Sequence, residues 1–299
     1  MKNNFIAFIF ILFIANMSYA QEWMTNIEIA QKLALVQNKM VLMVWEETTK
    51  YEYPVLVNDN EGRTIYIQNL FEDENISPLI WKHFIPVIVS EHKYADLYDA
   101  AKGKRKQYYI DKLNDDGIKI MDINGYIINA KTPSLDYINI TTLINRYALN
   151  TEDIAVELRN YLYNKDVYSA YFLASKYLDL ALYSNEKIRS EIVDLSNIYL
   201  DEALVFAQKR TGNDKSILEQ RCALLKIQEF LILKRPKKVI RQLKKIDAET
   251  MDNANQSFVA FLYYTAYMSM EDAQKAEAWK SKISLVNLKK AQMLINLNS

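Results

Sequence analysis

Lys39-Met40-Val41-Leu42-Met43-Val44-Trp45 is the stretch that decides the fold class. Its unbroken apolar run is short and β-prone, so it reads as a strand buried on both faces. Such a strand needs cover, and the flanking sequence supplies it. Upstream, residues 25–37 set Ile27, Ile29, Leu33 and Val36 at helical spacing, with Thr25 or Asn26 as N-cap. Downstream, residues 53–57 and 64–67 are β-prone runs around a Gly62-containing loop, which predicts a hairpin. Ile76–His83 reads as a short amphipathic helix opened by Ser77 and Pro78, and Phe84–Val89 as a second apolar strand. Residues 94–113 are polar, Tyr-rich and helical in part. After the turn Asp115-Asp116-Gly117, residues 118–121 and 126–128 flank Asn124-Gly125, a strong hairpin signal. Residues 134–149 close the region with helical spacing.

The expectation for residues 21–148 is therefore an α/β domain, a mixed sheet covered by helices. From 149 to 299 the pattern turns helical throughout. Asp166 and Asn185 open helices, Gly212 ends one, and Pro236 starts another. Seven helices are expected, the last striped by Ala273, Ala276, Trp279 and Ile283. Residues 237–246 and 274–283 match weakly at an offset of 37, which fits a degenerate tetratricopeptide-like array or a plain bundle.

Composition removes whole classes of function. Among 299 residues, Lys+Arg and Asp+Glu are both 37, so no charge excess points to nucleic acid. Five Gly leave nothing for a Gly-rich phosphate loop, and one Cys with two His leaves no Cys-rich or multi-His metal site. No cofactor and no metal are expected. Residues 1–20, MKNNFIAFIFILFIANMSYA, carry Lys2, a short apolar run and a small-x-small end at Ser18-Tyr19-Ala20. They read as a signal peptide, so the chain is expected to be exported, periplasmic or extracellular in a Gram-negative-type bacterium, without a later transmembrane anchor.

Trp23, Lys39 ahead of the Val-Leu-Met strand, the acidic stretch 69–76 before a helix and Phe84-Ile85-Pro86-Val87, and the Asp122-Ile123-Asn124-Gly125 hairpin together resemble the thioredoxin-like proteins of the bacterial envelope. The resemblance covers roughly residues 22–148. It implies that fold for the first domain. In the family a Cys-x-x-Cys follows the first strand; here Glu46, Glu47, Thr48, Thr49, Lys50, Tyr51 and Glu52 stand there instead. The family's proline before the last hairpin is replaced by Asp115 and Asp116. Disulfide exchange is thus not expected.

Other chemistry-bearing residues read as structure. Cys222 lies among Leu218, Leu225 and Ile232 and reads as core. His83 sits at a helix-to-strand junction and His92 on the surface. Asp111, Asp115, Asp116 and Asp122 could converge on calcium, but their spacing is not that of an EF-hand. Lys234, Arg235, Lys237, Lys238, Arg241, Lys244 and Lys245 form a basic run, either a solvated face or a surface for an acidic partner. Residues 21–148 hold 14 basic and 18 acidic side chains and residues 149–299 hold 22 and 19, so the two parts could attract each other. The leading expectation is an exported, non-catalytic scaffold for protein partners. The alternatives are an adaptor holding substrates for an active thiol oxidoreductase, and a ligand binder or enzyme using residues 46–52 with Asp115 and Asp116.

Overall fold

The computed structural model describes residues 22–133, 137–246 and 251–299. The expected signal peptide lies outside the described residues. The first helix, α1 (Ile27–Gln37), is capped by Asn26, whose side chain accepts from the Ile29 N–H at 2.9 Å. Asn38, at φ 55°, ends it in the left-handed conformation and turns the chain into β1 (Met40–Trp45). Met40 to Val44 are completely buried, as the apolar run requires. β1 pairs in parallel with β4 (Phe84–Val89) and antiparallel with β5 (Lys119–Met121), giving a three-stranded mixed sheet in the order β4-β1-β5. Met24 extends it by a single bridge to Val87.

The expected hairpin forms from β2 (Val55–Asn58) and β3 (Thr64–Ile67). It belongs to a second sheet, because β2 also pairs in parallel with β6 (Ile138–Asn139). The single sheet and the continuous closing helix are thereby corrected. Residues 134–136 lie outside the described residues, and the closing helix α5 (Ile140–Tyr147) begins only after β6. The hydrogen-bonding capacity of β2 explains this: its edge takes a short strand before Asn139, whose side chain accepts from Thr142 N–H, caps the helix. The hairpin after β5 is also shorter than expected; its return arm is one bridge, Met121 to Ile127, around a turn with Gly125 at φ 85°. Helices α2 (Ile76–His83), α3 (Glu91–Ala101) and α4 (Gln107–Asn114) complete this region.

The remainder is helical. After α6 (Ala155–Tyr163), the long pair α7 (Val167–Tyr183) and α8 (Glu186–Gln208) pack most extensively of all neighbours. Asp166 and Ser169 form a reciprocal capping box at the start of α7. Gly212, expected to end α8, instead precedes α9 (Asn213–Ile232) as its N-cap at φ 75°; α8 has already ended at Gln208. Then come α10 (Pro236–Leu243), α11 (Asn253–Met268), α12 (Ala273–Lys280) and α13 (Leu285–Asn298). The last is an eighth helix that the apolar pattern did not reveal. Leu285 and Val286 are 85% and 81% exposed and blur its stripe, while Ala291, Leu294 and Ile295 are buried. No helix among the described residues is long and apolar enough to cross a membrane.

The face of α8 docks on the α/β region. Arg105, Lys131 and Arg146 meet Glu202, Asp194 and Glu191 respectively. The attraction expected between the two parts exists, but with the opposite sense: here the α/β region brings the cations and α8 the carboxylates.

Candidate functional site

β1 delivers the chain into a 3-10 turn, Glu46–Lys50. This segment closes on itself. The Thr49 hydroxyl donates to the Glu46 carbonyl at 2.8 Å, Lys50 pairs with Glu47 at 2.6 Å, and Gln68 donates to Glu52 at 2.7 Å. The buried Trp45 indole N–H and Thr48 hydroxyl have no hydrogen-bond partner among the described residues. Tyr51 is exposed.

The Asp115–Gly117 turn is different. It stands at the entrance to β5 and opens on a cavity of about 770 Å³. One wall is Tyr53 and Pro54, just before β2, with Tyr137 and Ile138 at the start of β6; another is Thr142, Leu143, Arg146 and Tyr147 of α5. Lys112, Asp115, Asp116 and Ile118 complete the part of the lining beside the turn. A volume of this size suits a small organic ligand. The structure therefore separates the residues that sequence had grouped: Asp115 and Asp116 line the cavity, and residues 46–52 do not. Tyr53 and Pro54, just beyond that segment, take its place.

Two lysines converge on Asp115. Lys112 Nζ donates to Oδ2 at 2.9 Å, and Lys119 Nζ lies 3.2 Å from Oδ1 and donates to the Asp115 carbonyl. Gly117 N–H donates to Oδ1 at 2.9 Å. Burial alone would raise the Asp115 carboxyl, but the Lys112 hydrogen bond and both lysine charges outweigh it and hold it below the usual range. Lys119 has no exposed surface, and burial drives its ammonium down to about 8 against the pull of Asp115. Its ammonium also lies 5.3 Å from the centre of the Tyr94 ring, which in turn sits 5.3 Å from Trp45.

A second polar cluster, on the far side of β5, was not anticipated. Asp122 is fully buried; its Oδ1 accepts from the Asn124 and Tyr126 N–H groups at 2.9 and 3.0 Å, and its Oδ2 accepts from the Tyr177 hydroxyl at 3.0 Å and from the Tyr199 hydroxyl. Burial pushes this carboxyl up, and those four donors oppose the rise. Beside it Glu202 accepts from Arg105 and the Tyr126 hydroxyl, each at 2.6 Å, and from the Tyr161 hydroxyl. The available signal was the spacing of Glu191, Asp194 and Glu202 along one face of α8.

The remaining candidates scatter. Lys234, Arg235, Lys237, Lys238 and Arg241 share a shallow hollow around Pro236; Lys244 and Lys245 follow, exposed, beyond it. Lys234 pairs with Glu186 at 3.3 Å and Lys238 lies 3.8 Å from the Phe230 ring centre, so both are partly engaged within the chain. Cys222 is buried in α9, and burial pushes its thiol up to about 11, away from thiolate chemistry. Burial, with Lys82 and Lys39 nearby, lowers the His83 imidazole. His92 lies on α3, exposed. Asp111 accepts from Gln107 and Asp122 faces the tyrosines, so the four aspartates do not converge; no group of three metal-ligating side chains occurs among the described residues. No family model, curated protein or solved structure matches the chain.

Proposed function

We propose that the chain is an exported, non-catalytic binding protein whose ligand occupies the cavity beside Asp115. In this reading the α/β region is a cysteine-free relative of the thioredoxin-like envelope proteins, and the helices are a tetratricopeptide-like support. The β4-β1-β5 order, with its antiparallel third strand and short hairpin, supports the first part. The pairing of α9 with α10 and of α11 with α12 supports the second. The observation that carries the function is the cavity itself, bordered by the turn where the family keeps its proline and lined by residues from four segments.

The test is ligand-observed NMR on the secreted full-length chain with a mixed set of neutral, cationic and anionic fragments. Fragments should bind, and Thr142→Trp at the cavity rim should displace them. A set in which none binds, or in which binding survives the plug, overturns the reading. Intact mass beginning at Gln21 checks the export.

A protein-scaffold role remains the second reading. Tyr163, Tyr168, Phe172 and Val205 are exposed on α6, α7 and α8, an aromatic surface suited to a partner. Cross-linking in envelope extract that maps to these helices, or that captures thiol oxidoreductases, separates scaffold from redox adaptor.

A further inference from the structure

We infer that the cavity takes a small organic monocarboxylate with an aromatic or aliphatic body, its carboxylate seated against Lys112. This rests on the cavity being a ligand seat and adds the class of ligand. What points to it is a charge imbalance. Lys112 and Lys119 share one carboxylate, that of Asp115. Lys112 is 5% exposed and Lys119 is fully enclosed. Asp116 is exposed, and among the described residues no ion pair joins it to either lysine. Among the described residues Asp115 is the one carboxylate that either ammonium meets directly, and Asp116 acts on Lys119 only from a distance, so the direct pairing leaves one ammonium short of a counter-ion, an arrangement that burial penalises until an anion completes it.

The two lysines are not equivalent. Lys119 is committed to the Asp115 carbonyl and carboxylate and to the Tyr94 ring. Lys112 spends one N–H on Asp115 Oδ2, and it lines the cavity with the other two to spare. Three of the neighbouring polar side chains are already used. Asn129 bridges Ile120 N–H and the Ile118 carbonyl, Asn139 caps α5, and Tyr147 links Thr132 to Glu191. Arg146 also reaches the cavity, but Glu191 balances its charge. One ammonium short of a direct counter-ion calls for a monoanion; it repels an amine and gives a neutral amide no comparable gain. Tyr53, Pro54, Ile138 and Leu143 supply the apolar surface for the body.

The experiment titrates the full chain with naphthylacetate, naphthylacetamide and naphthylethylamine, three probes sharing one body. Naphthylacetate should bind at least tenfold more tightly than the amide, and the amine least. Lys112→Met should abolish that preference and Lys112→Arg should keep it; circular dichroism of both variants checks that they fold. A second readout uses calorimetry at pH 8 in buffers of different ionisation enthalpy. An anion beside Lys119, which Asp115, Asp116, Lys112 and Tyr94 also face, raises its affinity for a proton. Fractional proton uptake should therefore accompany naphthylacetate binding and vanish in Lys119→Met. Amide or amine binding as tightly as the acid overturns the carboxylate assignment while leaving the ligand seat standing. So does failure of all three probes when members of the mixed fragment set still bind. Failure of the whole set, or its indifference to the Thr142→Trp plug, is the separate failure of the seat itself.

Discussion

The two ends of the short strand β5 each carry a buried polar cluster, and the two are built oppositely. At the far end Asp122 meets four donors, and Glu202 beside it meets Arg105 and two tyrosine hydroxyls. At the near end two lysines crowd one carboxylate and a cavity lies alongside. Carboxylates met by several donors rigidify what they join, whereas two ammonium groups on one carboxylate are costly unless something else completes them. The first cluster lies exactly where α8 meets the α/β region and works as an internal fastener. The second borders a cavity with room for a ligand.

The largest effect should come from breaking the fastener. Asp122→Ala leaves two tyrosine hydroxyls and two backbone N–H groups without their acceptor in a closed site. The expected loss is about 4 kcal/mol in urea unfolding. Because Tyr126 touches both Asp122 and Glu202, Asp122→Ala and Glu202→Ala should be non-additive in a double-mutant cycle. A loss below about 1 kcal/mol for Asp122→Ala, as for an ordinary surface position, would erase the distinction between the two ends.

The opposite sign is expected at the near end. The folded Lys119 ammonium is held at about 8, below its ordinary 10.5. Between those values the unfolded chain holds a proton that the folded chain has released, so stability rises with pH across that window. Below about 8 both states are protonated, and the cost of charging Lys119 in the folded protein is fully present. Lys119→Met should therefore stabilise the protein by roughly 3 kcal/mol at neutral pH. It should also flatten the rise between pH 8 and 10, measured as urea midpoints against wild type. Destabilisation by this substitution would mean that Lys119 is part of a balanced network like that of Asp122.

The contrast was only half visible in the sequence. β1 was legible because continuous apolarity and burial are the same property, and the Asn124-Gly125 turn because few residue pairs accept its backbone. The abundance of tyrosine was visible too, but not its use. Tyr177 and Tyr199 donate to Asp122 only after α7 and α8 have docked, a pairing with no local trace. The cavity was hidden for the same reason, since its lining comes from residues near 53, 115, 130 and 142, far apart in the chain. Asp115 and Asp116 were found through a turn signal. Lys112 and Lys119 were missed, because a lysine in an ordinary pattern reads as solvent-exposed.

Gly117 provides the finest probe of the near end. Its φ is not in the left-handed region, so a side chain there meets no backbone penalty. A Cβ would however lie 3.1 Å from Asp115 Oδ1 and 3.1 Å from Lys112 Nζ. Both are ends of side chains, and Lys112 is the more flexible, so the lysine should yield by a few tenths of an ångström. Gly117→Ala is then expected to change stability by less than about 1 kcal/mol, part of any strain being offset by the lower conformational entropy that alanine gives the unfolded chain. Its effect should fall on the ammonium position instead, weakening naphthylacetate binding several-fold while the fastener at Asp122, judged by the urea midpoint, stays intact. Equal losses in binding and stability would show that the turn serves folding first, and that the two ends of β5 differ less than their geometry implies.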